Sequence, residues 1–258
     1  MRELGVTGKI WRAAFPIFLY GILSMAFPVI AAAVSGGRLL EPGTDMRLLT
    51  AENFLLLPVF WMLYRRDERE RRLYGYEERA SWGLREAVLA VAGAVCISRG
   101  VNYFLALTFL PQLFPGYRAV SEGISRCGFW SQAAAVVVSA PLLEEVLMRG
   151  LVYGRLKEAL GKPRTAMAVS ALAFGIFHGN VVQGIYAFAV GLFFARVYEA
   201  CGTLFLPVLA HASVNAASLL ESRAGWIKGL RGFPGAYYLL TAGFLLLGMF
   251  CWRYFERK

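Results

Sequence analysis

Residues 128–151 read GFWSQAAAVVVSAPLLEEVLMRGL, a mostly apolar run of 24 residues that contains three charged side chains. A helix needs about 20 such residues to cross ~30 Å of hydrocarbon, because no backbone group can be left unpaired there. Seven further runs have this character. We predict membrane-spanning helices at residues 13–35, 48–64, 87–110, 128–151, 164–179, 181–199, 202–220 and 236–254.

The composition supports a membrane protein. Of 258 residues, 58% are hydrophobic and 17% are charged, and the mean hydropathy is +0.53, which is unlike an ordinary soluble domain. The 19 Phe, 12 Tyr and 6 Trp exclude a disordered chain. No polar loop is long enough for a second, soluble domain. The predicted fold is all-α and polytopic: one transmembrane domain over residues 1–258, with about eight helices in one bundle around an intramembrane polar cavity.

The net charge of +10 indicates an orientation rather than nucleic-acid binding. Of the 27 Lys and Arg residues, 18 fall on one side of the predicted spans. By the positive-inside rule, both termini are then cytoplasmic, and the basic groups face an anionic membrane surface. The apolar part of the first span exceeds the usual length in a signal peptide, so we expect a retained anchor. The compact loops suit a multi-pass protein of a bacterial plasma membrane.

Ionisable residues inside the spans are the candidates for function, because each costs at least a few kcal/mol at the bilayer centre. His178 and His211 are the only histidines in the chain. The candidates that we single out are Arg99, Glu144, Glu145, Arg149, His178 and His211.

Two adjacent glutamates in the fourth span have different predicted environments. Glu145 lies four residues before Arg149, so the two side chains share a helical face and can neutralise each other. Glu144 is rotated by ~100° and is worse placed to share that arginine. A buried ion pair that only fixes helix packing explains Glu145 and Arg149, but it leaves Glu144 unexplained.

His211 and Asn215 also lie four residues apart, on one face of the seventh span. A ring N–H and a side-chain amide on that face can point at the same oxygen, as in an oxyanion hole. The alternative for either residue alone is an interhelical hydrogen bond. Arg99 is expected to pair with a carboxylate or carbonyl, and the alternative is that it binds a substrate carboxylate.

Three motifs on successive hydrophobic segments carry a family resemblance. In chain order they are Glu144-Glu145-xxx-Arg149, Phe174-xxx-His178 and His211-xxx-Asn215. Together they resemble the CPBP family of intramembrane glutamate proteases, which includes type II CAAX prenyl endopeptidases and bacteriocin-processing or self-immunity proteins. The motifs cover about residues 128–220.

The resemblance implies a mechanism. Glu144 and His178 would hold and deprotonate a water that attacks a peptide carbonyl, and His211 with Asn215 would stabilise the oxyanion. The second glutamate and the arginine of the first motif would brace the helix. The substrate would be a peptide or protein, either prenylated or a leader peptide, reached from the lipid bilayer.

Other functions stay open at this point. Two carboxylates and two histidines suffice for a zinc-dependent intramembrane protease. Against zinc, no His-Glu-x-x-His helix is present and Asn215 would be a poor ligand, so we expect no cofactor. A non-catalytic membrane protein for peptide binding or immunity is a second alternative. A transporter that relays protons through Glu144 and His178 is a third.

Overall fold

A computed structural model describes residues 5–36, 45–73, 81–114, 127–225 and 233–258. Every regular element in these ranges is helical, as predicted. The α-helices are α1 (Val6–Ser35), α2 (Asp45–Leu73), α3 (Leu84–Ala106), α4 (Leu110–Leu113), α5 (Phe129–Gln132), α6 (Ala140–Glu145), α7 (Gly154–Leu160), α8 (Pro163–Phe177), α9 (Val181–Cys201), α10 (Phe205–Ala224) and α11 (Pro234–Arg257).

Contacts between helices divide the chain into two compact units. The first unit comprises residues 1–78 and 124–170, and the second comprises residues 79–123 and 171–258. The single transmembrane domain over 1–258 stays a prediction.

Five of the described helices are long and apolar enough to cross a membrane, namely α1, α2, α3, α9 and α11. They contain the predicted spans one, two, three, six and eight, apart from the end of the third. The protein is therefore an all-α polytopic membrane protein. The other three predicted spans are helical but different: the fourth is divided into segments, the fifth (α8) has 15 residues, and the seventh (α10) carries several polar side chains. The number eight stays a prediction.

The fourth predicted span alternates between α and π geometry. Segments of π-helix occupy Ala133–Ser139 and Val146–Tyr153, on either side of α6. Pro141 lies in the first turn of α6 and has no N–H to donate, so the regular hydrogen-bond ladder is interrupted there. Such wide turns are frequent at functional sites. The segment that carries the paired glutamates is thus irregular on both sides.

In the first unit, α1 and α2 pack against the helical segments between residues 129 and 160. A cluster of charged side chains connects α1, α2 and α7. Arg12 contacts Asp67 and Glu158 at 3.1 and 3.2 Å, and Arg155 donates to Asp67 at 2.5 Å and to the Arg12 carbonyl at 2.7 Å. Asp67 is fully buried, so this carboxylate depends on its arginine partners.

In the second unit, α3 packs against α9, α10 and α11. Glycines allow these helices to approach closely. A Cβ added to Gly93 would lie 2.5 Å from the Phe193 ring, and one added to Gly100 would lie 2.7 Å from the Leu245 side chain. The helix α3 is therefore held tightly in its unit.

The connection from α8 to α9 is a three-residue turn that begins at His178. Gly179 has φ +72°, a left-handed conformation that favours glycine. Asn180 caps α9 by accepting a hydrogen bond from the Gln183 amide at 2.8 Å. Beside this turn, Gly175 and Gly184 bring the two backbones together.

The contact between Gly175 and Gly184 predicts that Gly175→Ala destabilises the protein. The new Cβ would lie 2.7 Å from the Gly184 carbonyl oxygen, a backbone atom that cannot move aside as a flexible side chain can. We expect a loss of about 1–3 kcal/mol, measured by unfolding in detergent. Gly243→Ala is the control, because a Cβ there meets nothing within 4 Å. Equal stability of the two variants would contradict the close approach.

Candidate functional site

In the first unit, Glu145 and Arg149 form the ion pair that their spacing predicts. Arg149 Nη1 donates to Glu145 Oε1 at 3.0 Å, and both side chains are fully buried. The pair lies where α6 passes into the second π-helical segment. A buried charge is tolerated only with such a partner, so neither side chain can be removed alone without a large cost.

Glu144 occupies a different environment from its neighbour. Its side chain is partly exposed, whereas Glu145 is inaccessible. It lies three residues after Pro141 and within electrostatic range of Tyr20 on α1. The two adjacent glutamates therefore differ in exposure.

Glu52 is a polar residue that the sequence analysis overlooked. It lies on α2 with 7% of its surface exposed and, like Glu144, within electrostatic range of Tyr20. The adjacent Asn53 donates to the Ser139 hydroxyl at 3.0 Å, just before α6. An acid in the predicted span 48–64 meets the same criterion that singled out Glu144, so the signal was present in the sequence.

In the second unit, His178 has a defined tautomer. Its Nδ1 lies 2.8 Å from the Phe174 carbonyl oxygen. Since that oxygen can only accept, Nδ1 carries the proton, and in the neutral ring Nε2 holds a lone pair. The Phe174 ring meets the imidazole edge-on at 4.7 Å. One residue of the second motif thus orients the other.

His211 is held by two aromatic rings. It stacks on Phe194 with ring centroids 5.1 Å apart, and it meets Phe174 edge-on at 5.7 Å. All three side chains are buried. Phe174 therefore contacts both histidines and brings them into one cluster.

Asn215 follows His211 by one turn on the α-helix α10 and is partly exposed. The spacing that predicts a shared face is thus present in regular helical geometry. His178, His211 and Asn215 all belong to the second unit. The roles predicted for them, and for Glu144, Glu145 and Arg149 in the first unit, stay predictions.

Arg99 pairs with a carboxylate, as expected, and its partner is Glu221 on α10. Its Nη2 also donates to the Ser218 hydroxyl at 2.5 Å. Within the described ranges, no three His, Cys, Asp or Glu side chains form a group that could hold a metal ion.

Comparison with known proteins gives two matches. The family model described as "Type II CAAX prenyl endopeptidase Rce1-like" matches residues 126–217, a range that contains all three motifs. The chain is also 29% identical over 83 residues to the "Putative membrane peptidase YdiL" of Bacillus subtilis (strain 168). That match covers 31% of this chain and 34% of the relative, so the chain spans about a third of the relative's length. No solved structure matches. The predicted resemblance to the CPBP family is confirmed.

The contrast between the two glutamates predicts different effects on stability. Glu145→Gln leaves Arg149 buried without its carboxylate, and we expect a loss of about 3–5 kcal/mol in the free energy of unfolding. Glu144→Gln should change it by less than about 1 kcal/mol, because that side chain is partly exposed. Thermal unfolding of both purified variants measures the difference. The reverse order would contradict the assignment of Glu145 as the arginine's partner.

Proposed function

We propose that the chain is an intramembrane endopeptidase that hydrolyses a peptide bond with a water activated by Glu144 and His178. The observation that carries this proposal is the orientation of His178, whose Nδ1 is bound to the Phe174 carbonyl. Its Nε2 is then the atom that accepts a proton or a water hydrogen. A base held in one tautomer is what activation of a water requires. The family match over residues 126–217 supports a membrane peptidase in general.

Glu144 is the proposed partner of that base. The adjacent Glu145 forms an ion pair with Arg149, whereas the Glu144 side chain is partly exposed. A carboxylate and an imidazole on one water can orient it and take its proton as it attacks the carbonyl carbon. Glu145 and Arg149 brace the helix and fix the direction in which Glu144 points.

The proposed oxyanion hole consists of His211 and Asn215. Phe194, stacked on His211, and Phe174, edge-on to it, keep the buried imidazole in apolar surroundings, where a hydrogen bond to a developing negative charge is stronger than in water. Asn215 supplies an amide N–H from the next turn of the same helix. Hydrolysis then proceeds through a tetrahedral intermediate, with no covalent bond to the protein.

The proposed substrate is a peptide or protein that meets the site within the lipid bilayer. A leader peptide and a prenylated C-terminal peptide are the two classes to compare. The protein is integral to the membrane, and we propose a bacterial plasma membrane with both termini cytoplasmic, because the Lys and Arg residues are asymmetrically distributed.

Glu144→Gln tests the proposal directly. We expect it to abolish cleavage of a mixed library of leader and prenylated peptides, read by mass spectrometry with the protein in nanodiscs. Asn215→Ala should lower the rate on the order of 10²-fold, because one oxyanion donor is lost. Glu256→Gln, which changes an exposed glutamate at the end of α11, is the matched control and should keep full activity. A folded Glu144→Gln variant with wild-type turnover would refute the assignment.

The zinc-dependent mechanism makes a different prediction. A histidine that donates Nδ1–H to a carbonyl is also suited to bind zinc through Nε2, so His178 alone does not separate the two mechanisms. We propose metal-free catalysis because Glu145 already has Arg149 as its cation. Treatment with a strong chelator should leave turnover unchanged. Metal analysis of the treated protein checks that any metal has been removed. Loss of activity on chelation, with recovery on added zinc, would favour the metalloprotease.

A further inference from the structure

Arg99 joins α3 to the helix that carries His211 and Asn215. It forms an ion pair with Glu221 on α10, and 10% of the Arg99 side chain and 17% of the Glu221 side chain are exposed. The residues are 122 positions apart in the chain. The mechanism proposed above uses neither of them, although Arg99 lies within α3, a helix long and apolar enough to cross a membrane, where a charge is costly.

A second contact connects Arg99 to the backbone beside Asn215. Arg99 Nη2 donates to the Ser218 hydroxyl oxygen at 2.5 Å, and that hydroxyl in turn donates to the Val214 carbonyl at 2.9 Å. Val214 lies in the turn between His211 and Asn215. Arg99 therefore contacts two side chains of α10, Glu221 and Ser218. The Ser218 hydroxyl is in turn bonded to the helical turn that carries the proposed oxyanion donors.

The spacing along α10 places these groups on one face. His211, Asn215 and Ser218 follow the i, i+4, i+7 pattern of a single helical stripe. Ser218 lies only about 4.5 Å further along the axis than Asn215, at 1.5 Å per residue. A rotation of α10 that displaced Ser218 from Arg99 would turn both donors by the same angle.

The arginine itself is fixed on α3. Its Nη2 also contacts the Ser98 hydroxyl at 3.2 Å, and Asn102 donates to the Ser98 carbonyl at 2.9 Å. The adjacent Gly100 packs against Leu245 on α11 without room for a Cβ. Arg99 therefore projects from a helix that is held in place by another neighbour.

We infer that the Arg99–Glu221 pair, with Ser218, is a positioning device that sets the rotation of α10 and so aims His211 and Asn215 at the oxyanion. This inference rests on the proposed function. A buried ion pair contributes little net stability compared with apolar residues of similar size. Its directional bonds fix orientation, which apolar packing does not, and a misplacement of about 1 Å in an active site can cost on the order of 10²-fold in rate.

The double variant Arg99→Met/Glu221→Met tests the inference, because it removes both charges together and leaves none unpaired. We expect it to fold, with kcat at least about tenfold lower and KM unchanged. Ser218→Ala, which removes the Arg99–Ser218 bond and the link to Val214 but keeps the Arg99–Glu221 pair, should fold and lower kcat by a smaller factor. The control is Glu86→Gln/Tyr254→Phe, which breaks a 2.5 Å bond between α3 and α11 without touching α10 and should keep wild-type kcat.

A spectroscopic readout separates this inference from the proposed function. The chain has two histidines, so in a His178→Gln background the single ¹⁵N-histidine signal belongs to His211. That signal should shift in Arg99→Met/Glu221→Met and stay in place in the control. If wild type and Glu144→Gln cleave at the same rate, the proposed function is wrong. The His211 signal would still show whether the Arg99–Glu221 pair sets the position of His211.

Three outcomes would overturn the inference. Unchanged kcat and an unchanged His211 signal in the folded double variant would reduce the pair to packing. A raised KM with unchanged kcat would instead assign Arg99 to substrate binding. If the double variant does not fold, the test rests on Ser218→Ala. Wild-type kcat and an unshifted His211 signal in that variant would also overturn the inference.

Discussion

A charge buried among membrane helices must have a partner, because neither lipid nor water can solvate it there, and this constraint organises both units. In the first unit, Arg149 is paired with Glu145 on its own helical face, and both are inaccessible. In the second unit, Arg99 is paired with Glu221 from another helix. Each pair lies beside residues that the proposed reaction requires. Removal of one member would leave a buried charge without its partner, which is strongly destabilising.

The two histidines are held by contacts other than the ion pairs described above. His178 is fixed by a backbone carbonyl through Nδ1, so only Nε2 remains for chemistry. His211 lies between Phe174 and Phe194, in surroundings where a hydrogen bond to an oxyanion is strong. Paired charges thus hold the helices, and Glu144, His178, His211 and Asn215 are proposed to carry out the reaction.

Local spacing was sufficient to predict the parts of the structure that depend on one helix. Apolar runs predicted the long helices, and the i to i+4 rule predicted the Glu145–Arg149 pair. Contacts between distant segments were not predictable in this way. The pairing of Arg99 with Glu221 depends on how α3 packs against α10. The spacing of residues along one sequence does not reveal that packing.

Two other features were missed for different reasons. The π-helical segments on either side of α6 shift the hydrogen-bond ladder, and the apolar pattern of Ala133–Ser139 is compatible with either helix type. Glu52 was detectable, since it lies in a predicted span, and its burial on α2 gives the first unit another intramembrane acid besides the paired glutamates. Its neighbour Asn53 contacts Ser139.

The central claim is that Glu144 activates a water and does not itself attack the peptide. A single turnover in H₂¹⁸O with stoichiometric protein, followed by mass spectrometry of the product and of the protein fragment that contains Glu144, tests it most directly. Direct attack by water predicts one ¹⁸O in the new carboxyl group of the product and none in Glu144. Isotope in the Glu144 carboxylate would reveal an anhydride intermediate and contradict the account.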